Sequence, residues 1–383
     1  MKSKFPVLSA VRKLIIVFIL LNLSGCGGTR GGNNTANPED FVWPLPPDPP
    51  KIKFVKSIHS EMDVGHKRSF VRRIYEAVFG RAPLRALKKP LVVHTDKSER
   101  ILVVDSGWRK VLVFDFENNQ LGVLGKSGRG RLLNPLGVTT DDNGQIYVAD
   151  AGGQRIMIYD SEGKFLRAFG GKGILERPSG IAVNLKLGKI YVVDTWAHQI
   201  KVFDINSGNV LFTIGKKGEK TTNNIEGALD YTWNRGDGPG EFRFPTQITI
   251  GPDGKLYIVD TLNFRIQIIT ALGEFVNMFG EVGNIPGTFY RPKGIGLDSE
   301  GHIYVSDAAF NNIQIFDTDG NLLLNFGSFG SGLADLRLPA GMHINDMDKI
   351  FVVDQFNNRI QVYQYLGGEP KKEKDLITEK ERR

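Results

Sequence analysis

The chain contains 383 residues, of which 41% are hydrophobic and 24% charged, so it is long enough to bury a large core. Its single cysteine, Cys26, excludes disulfide bonds within the chain and a thiolate catalyst in the folded body. The formal net charge of +7 is unevenly distributed: residues 1–25 carry four positive charges and no acid, residues 51–89 have a net charge of +8, and residues 90–368 have one of −4. Because the main body is mildly acidic, the basic total does not predict a nucleic-acid partner.

The first 25 residues have the layout of an export signal. Basic residues precede an apolar run at 14–23, which is too short to span a bilayer, and Leu-Ser-Gly-Cys ends the segment at Cys26. This ending resembles the lipobox of bacterial lipoproteins, which implies that Cys26 is lipidated and becomes the first residue of the mature chain. Gly27 then implies, by the same resemblance, an outer-membrane location facing the periplasm or the exterior.

Two segments predict no regular structure. Residues 26–50 are rich in Gly, Asn and Pro and end in WPLPPDPP, which favours neither a helix nor a paired strand, so we expect a tether. Residues 369–383 alternate in charge with little apolar content and predict a solvated tail.

Residues 51–89 contain two predicted elements. The run IKFVKSI, at 52–58, is typical of a strand. The run KRSFVRRIYEAVFG, at 67–80, predicts a short basic amphipathic helix with an apolar stripe. Such a helix could lie on anionic lipid, but its docking against the folded body is favoured because a helix this short needs packing to form.

The region from residue 90 to 368 is built of repeats. Two markers recur in step, which indicates six repeats with about twenty extra residues in one of them. The prolines are Pro90, Pro135, Pro178, Pro245, Pro292 and Pro339, and the aspartates are Asp105, Asp150, Asp194, Asp260, Asp307 and Asp354.

Each repeat predicts four short strands joined by tight turns. The clearest copy is PSGIAVNLKLGKIYVVDTWAHQIKVFDINSGNVLFTIG, at 178–215, in which strand-like runs alternate with Gly turns. Because one such sheet is unstable alone, six copies around an axis predict an all-β, six-bladed β-propeller of four-stranded antiparallel blades. The sixth repeat lacks its fourth strand, and we expect residues 52–58 to supply it and close the ring.

The loops after the recurrent aspartates carry a family resemblance. They read DSGWRKV, DAGGQRI, DTWAHQI, DTLNFRI, DAAFNNI and DQFNNRI, and the series resembles the NHL repeat. The resemblance implies a propeller over residues 90–366. It leaves the function open, because propellers of this family serve as protein-binding platforms, RNA readers, sensors and, in one branch, a lyase.

The histidines test the enzymatic alternative. In the lyase branch, DTWAHQIKVF would match a zinc-ligand segment and make His198 a ligand, but that branch also needs histidines directly after the prolines that open other repeats. Those positions hold other residues here: Leu91, Leu136, Ser179, Thr246, Lys293 and Ala340. A zinc site needs about three protein ligands. The other candidates are His94 and His343, which occupy equivalent positions in the first and last repeats, and these repeats become neighbouring blades once the ring closes. We expect no catalytic residue and no bound metal or other cofactor, with these three histidines as the alternative metal ligands.

Residues that do not repeat predict a binding face. The insertion, at 216–242, falls on the same end of the propeller as the loops after the aspartates. Aromatic anchors beside basic groups are typical of binding surfaces. The candidates are Trp108, Arg109, Trp196, His198, Tyr231, Trp233, Arg235, Phe264, Phe310 and Phe356.

These observations favour a lipid-anchored binding or scaffolding protein of the cell envelope. We expect a protein of the envelope as its partner, membrane attachment through Cys26 and no nucleic-acid partner. The alternative, from the residues around His198, is a metal-dependent lyase or hydrolase of the peptidyl-hydroxyglycine lyase or lactonase-like propeller type.

Overall fold

The computed structural model describes residues 41–65, 85–215, 220–225, 228–233 and 236–367, with the backbone alone for 220–225 and 228–233. The chain divides into two compact units, Met1–Asn37 and Pro38–Arg383, and the described residues all belong to the second. Cys26, the helix predicted at 67–80 and the tail at 369–383 lie outside the described residues. Within the part of the chain that the structure describes, no helix is both long and apolar enough to cross a membrane.

The described chain is almost entirely strand, with 27 strands and short 3-10 turns at Gly128–Gly130 and Thr261–Asn263. In chain order the strands are β1 (Val42–Trp43), β2 (Ile52–Ile58), β3 (Pro90–Thr95), β4 (Ile101–Asp105), β5 (Lys110–Asp115), β6 (Gln120–Leu124), β7 (Pro135–Thr140), β8 (Ile146–Asp150), β9 (Arg155–Tyr159), β10 (Phe165–Gly170), β11 (Pro178–Asn184), β12 (Lys189–Asp194), β13 (Gln199–Asp204), β14 (Val210–Ile214), β15 (Lys220–Ile225), β16 (Ala228–Trp233), β17 (Pro245–Ile250), β18 (Leu256–Asp260), β19 (Arg265–Ile269), β20 (Phe275–Phe279), β21 (Pro292–Leu297), β22 (Ile303–Asp307), β23 (Asn312–Phe316), β24 (Leu322–Phe326), β25 (Pro339–Ile344), β26 (Lys349–Asp354) and β27 (Arg359–Tyr365).

Six antiparallel sheets form the blades, as the repeats predict. Blades one to five are β3–β6, β7–β10, β11–β14, β17–β20 and β21–β24, each paired in sequence order, and β25–β27 begin blade six. Each innermost strand starts at the repeat-opening proline, where the missing backbone donor disrupts no ladder hydrogen bond. The six-bladed propeller of four-stranded blades is therefore confirmed.

The N-terminal strand closes the ring in the predicted place. Strand β2 pairs antiparallel with β27, from Ile52 opposite Tyr365 to Ile58 opposite Ile360, and supplies the fourth strand of blade six. Closure by the distant end of the chain ties the first and last repeats together and removes the open edge of blade six.

The prediction that residues 26–50 form only a tether was wrong for its end. Strand β1 pairs with β2, with Trp43 opposite Ile52, and gives blade six a fifth strand. Trp43 lies with its ring centroid 5.6 Å from that of Phe326 and 5.9 Å from that of Tyr363. Aromatic packing on the blade overcomes the low strand tendency of the proline-rich sequence that follows.

The hydrophobic core is divided among the interfaces between neighbouring blades. Each of the six interfaces between neighbouring blades, including the one between blades six and one, holds one cluster of buried side chains. The cluster between blades six and one includes Ile58 from β2 and Leu87 from the connection into blade one. Every blade therefore buries both faces, which a single four-stranded sheet cannot do.

The insertion between blades three and four contains its own small sheet. Strands β15 and β16 pair as a hairpin, from Lys220 opposite Trp233 to Ile225 opposite Ala228. Tyr231 and Trp233 lie on β16, and Arg235 lies outside the described residues.

Candidate functional site

The loops after the aspartates and the connections between blades lie at one end of the propeller, here called the loop face. The strand register shows this, because Pro178, which ends one connection, stands opposite Asp194, which starts one loop. The same pairing of proline and aspartate occurs in all six blades.

The six recurrent aspartates organise the loop face from within. Each is fully buried and accepts hydrogen bonds from the backbone N–H groups that precede the proline of its own blade. Asp105, for example, accepts from Lys88 at 2.7 Å and Lys89 at 3.2 Å. Burial raises the pKa of Asp194, Asp260 and Asp354, while these hydrogen bonds favour the ionised form. The aspartates are structural groups that hold the loops.

Four residues after each aspartate, the loop turns through a left-handed backbone conformation. These residues have φ between 52° and 57°, which is uncommon for residues other than glycine. They are Arg109, Gln154, His198, Phe264, Asn311 and Asn358. His198 therefore occupies a fixed conformational position of the repeat.

The prediction of His198 as a contact residue on the surface was wrong. Its side chain is 3% exposed, and its Nδ1 accepts a hydrogen bond from the backbone N–H of Phe244 at 3.1 Å. In blade five Asn311 does the same, because its Oδ1 accepts from the N–H of Leu338 at 2.9 Å. Phe244 and Leu338 precede blade-opening prolines and both have positive φ, so their N–H groups reach back to the preceding blade.

Three predicted aromatic residues are exposed on the loop face, and each lies beside a basic side chain. Trp108, Trp196 and Phe356 have exposed fractions of 37%, 50% and 52%. Lys88 Nζ lies 3.6 Å from the ring centroid of Trp108, the guanidinium carbon of Arg177 lies 5.0 Å from that of Trp196, and that of Arg337 lies 5.9 Å from that of Phe356. These cation–aromatic pairs fix amphipathic groups on a rigid frame.

The other predicted binding residues differ in position. Arg109 is exposed, whereas Phe264 and Phe310 are half-buried between loops. The side chains of Tyr231, Trp233 and Arg235 lie outside the described residues, so their part in a binding face stays a prediction.

Two exposed aromatic residues on this face were missed. Tyr290 and Phe329 are 59% and 69% exposed and lie in the connections before blades five and six. Phe329 also lies 5.9 Å from the guanidinium of Arg337. Their signal in the sequence is weak, because these connections vary in length and composition between repeats, whereas the loop after the aspartate recurs in each one.

His94 and His343 meet on the innermost strands of blades one and six, as their repeat positions suggest. Their ring centroids are 4.2 Å apart, and both side chains are partly exposed. Nε2 of His94 accepts a hydrogen bond from the backbone N–H of Thr140 at 3.1 Å. Desolvation lowers the pKa of His94, helped by the neighbouring His343, and lowers the pKa of His343 to about 4.

The histidines do not assemble a metal-ligand set. Among the described residues, no group of three or more His, Cys, Asp or Glu side chains is placed to hold a metal ion. His198 lies in the loop between β12 and β13 of blade three, whereas His94 and His343 lie on the innermost strands of blades one and six. The three histidines therefore do not form the zinc site that the lyase alternative requires.

The blades, their closure and the aspartate-held loops define the protein as a six-bladed β-propeller. A family model described as NHL repeat matches residues 132–159 and 175–203, and one described as 6-bladed beta-propeller matches residues 297–380. NHL repeats are therefore found in blades two and three, and the matched 6-bladed beta-propeller family agrees with the fold of the remaining blades.

Comparisons with individual proteins agree with this fold. The E3 ubiquitin-protein ligase NHLRC1 of Homo sapiens is 26% identical over 112 residues, which cover 29% of this chain and 24% of that protein, so the match spans about a quarter of that relative. A streptogramin B lyase superposes with a TM-score of 0.53 at 14% identity, over 73% of this chain and 94% of the lyase. An auxiliary nutrient binding protein of Bacteroides thetaiotaomicron superposes with a TM-score of 0.53 at 16% identity, over 73% of this chain and 70% of that protein. At these identities the structural matches establish the fold alone.

Proposed function

We propose that the protein is a lipid-anchored binding protein of the cell envelope that presents its loop face to a protein or small-molecule partner. The observation that carries this proposal is the set of exposed cation–aromatic pairs Lys88–Trp108, Arg177–Trp196 and Arg337–Phe356 on that one face. Residues that contribute most to binding at protein interfaces are enriched in Trp, Tyr and Arg, and four of these six side chains are tryptophan or arginine on one face.

The frame under these pairs is suited to binding. Each loop is held by a buried aspartate, and the connections into blades four and six are also tied to the preceding blade by His198 and Asn311. A surface held in this way loses little conformational freedom when a partner docks, which lowers the entropic cost of binding. The auxiliary nutrient binding protein with this fold gives an example of a binding role on a similar scaffold.

The location of the protein rests on its N-terminal sequence. The apolar run at 14–23 followed by Cys26 supports export and lipidation, and residues 27–40 would reach about 45 Å when extended. Such a tether would let the propeller turn its loop face to a partner in the envelope. Incorporation of a labelled fatty acid into the chain, lost in Cys26→Ser, tests the anchor separately from binding.

A pair of matched variants tests the binding face. The first combines Trp108→Ala, Trp196→Ala and Phe356→Ala, and the second combines Leu187→Ala and Leu272→Ala, which remove exposed apolar side chains at the opposite end of the propeller. Cross-linking in the native envelope followed by purification should recover a partner with the unaltered chain and the second variant, and lose it with the first. Equal recovery from both variants would contradict the proposal.

A further inference from the structure

The loop face carries a cluster of positive charge on blades one and two. Three chain segments there, 85–89, 106–110 and 125–134, contain no acidic residue, whereas the connections into blades three, four, five and six each contain at least one. The stretch 59–65, which lies upstream in the connection into blade one, carries Glu61 and Asp63. The cations of the three segments on the loop face form what we call the basic sector. It consists of Lys88, Lys89, Arg109, Lys110, Lys126, Arg129 and Arg131.

The charges of the basic sector are not neutralised within the fold. None of its seven side chains forms an ion pair with another residue of the ranges that the structure describes. All are exposed except Lys110, which is half-buried. Desolvation and the nearby Arg131 lower the pKa of Lys110, and the acid that opposes this effect, Asp150, is buried and bonded to backbone N–H groups.

Direct contacts join the three segments into one surface. Lys88 from the first segment covers the ring of Trp108 from the second, and Trp108 Nε1 donates to the carbonyl of Ala86 at 2.8 Å. Lys110 Nζ donates to the carbonyl of Leu132 in the third segment at 3.3 Å. Next to these cations Trp108 and Leu133 expose 37% and 41% of their surface, so apolar groups project among the charges.

We propose that the basic sector docks the propeller on an anionic phospholipid surface. Its cations, which form no ion pair within the described ranges, are drawn to the negative potential of such a surface, and the exposed parts of Trp108 and Leu133 beside them can enter the interfacial layer. An acidic protein would also carry negative charge that could attract these cations. A bilayer is favoured because the N-terminal anchor keeps one within reach of this face, and in this respect the inference rests on the proposed function. The loop face would then receive partners that are themselves at the membrane.

Vesicle binding tests this inference apart from the anchor. The chain beginning at residue 27, without lipid, is mixed with vesicles of phosphatidylethanolamine and phosphatidylglycerol, and with vesicles of phosphatidylcholine alone. We expect sedimentation with the first and not with the second, and release at 1 M salt, where charges are screened beyond about 3 Å.

Two variants with equal loss of charge locate the site. Lys126→Gln, Arg129→Gln and Arg131→Gln together should lower the partition coefficient about 100-fold, at about fivefold for each charge removed. Lys164→Gln, Lys186→Gln and Lys189→Gln, at the opposite end of the propeller, should leave it within about threefold of the starting value. Circular dichroism confirms that both variants fold.

Three outcomes overturn the inference: no binding to anionic vesicles, equal loss in both variants, or binding to a soluble polyanion such as heparin in place of vesicles. Any of these would leave the partner-binding proposal standing, since that proposal is tested by the cation–aromatic pairs and not by vesicles.

Discussion

Nδ1 of His198 accepts a hydrogen bond from the backbone N–H of Phe244, 3.1 Å away, and so joins the loop of blade three to the start of blade four. The imidazole also packs against the Phe244 ring, with centroids 4.6 Å apart. In blade five Asn311 and Leu338 form the equivalent hydrogen bond. A histidine that invites a catalytic interpretation therefore serves as a link between blades.

His198→Ala should destabilise the fold by about 2–3 kcal/mol, because it removes a buried ring and leaves the Phe244 N–H without its acceptor. His198→Asn should recover at least about 1 kcal/mol, since asparagine accepts the same bond in blade five and tolerates a left-handed backbone. Urea denaturation measures both. Equal losses in the two variants would show that the hydrogen bond contributes little.

The buried aspartates should differ in importance according to their partners. Asp260 accepts from the N–H of Arg243 and from Nε of Arg265 at 2.9 Å, whereas blade three has Gln199 in place of that arginine. Asp260→Asn should cost about 3–5 kcal/mol because it removes the carboxylate that forms an ion pair with the buried guanidinium of Arg265. Asp194→Asn should cost about 1–3 kcal/mol, since it weakens only hydrogen bonds to backbone N–H groups.

Thermal and urea unfolding of both aspartate variants test this order. Asp319→Asn, on an exposed hairpin turn, is the matched control and should change stability by less than about 0.5 kcal/mol. A loss in Asp194→Asn as large as that in Asp260→Asn would contradict the assigned role of Arg265.

Ring closure by β2 should be essential to stability. Phe54 is 1% exposed and packs against Tyr363 with centroids 5.7 Å apart, so Phe54→Ala should cost about 3–5 kcal/mol. Val55, the next residue, is 39% exposed, and Val55→Ala should cost less than about 0.5 kcal/mol. Chemical denaturation compares the two, and similar small losses would mean that β2 is dispensable to the propeller.

The histidine pair should make stability depend on pH. The pKa of His343 is about 4 in the folded chain, below its ordinary value of 6.5, so the unfolded chain binds a proton first as the pH falls. The contribution of His343 to the free energy of unfolding is therefore fully present above pH 6.5 and is lost as the pH falls from 6.5 to 4. Because solvent screens the partly exposed side chain, we expect this loss to be about 2 kcal/mol.

His343→Gln should remove that part of the pH dependence. The free energy of unfolding, measured from pH 7.5 to 4, should fall less steeply in the variant than in the unaltered chain. Parallel curves would show that His343 does not couple folding to protonation.

The fold was predictable from the sequence because the same pattern of strands and turns occurs six times, so each copy supports the interpretation of the others. A proline and an aspartate 15 or 16 residues apart recur in every blade, as Pro178 and Asp194 do in blade three, and IKFVKSI is strand-like enough to identify the closing strand. Strand β1 was not predictable in the same way, because it is two residues long and precedes five prolines. What holds Trp43 is its contact with Phe326 and Tyr363, which are distant in sequence.

The candidate site was predictable only in part. The exposed aromatics Trp108, Trp196 and Phe356 follow from their loop position, but their cationic neighbours come from the preceding connection. A basic residue about twenty positions before the aromatic is the signal that would have found them. No sequence pattern indicates that His198 is buried, because its position depends on the direction of one backbone N–H group, that of Phe244 at the start of the next blade.

Site-specific photo-cross-linking in the intact envelope tests the binding role of the loop face most directly. A photoreactive residue is placed at Trp196 or Phe356 on that face, and at Leu187 or Leu272 on the opposite face, all of which are exposed. We predict that the first two positions give an adduct of the same mass and that the last two do not. Adducts from Leu187 and Leu272, with none from Trp196 and Phe356, would contradict the proposed function.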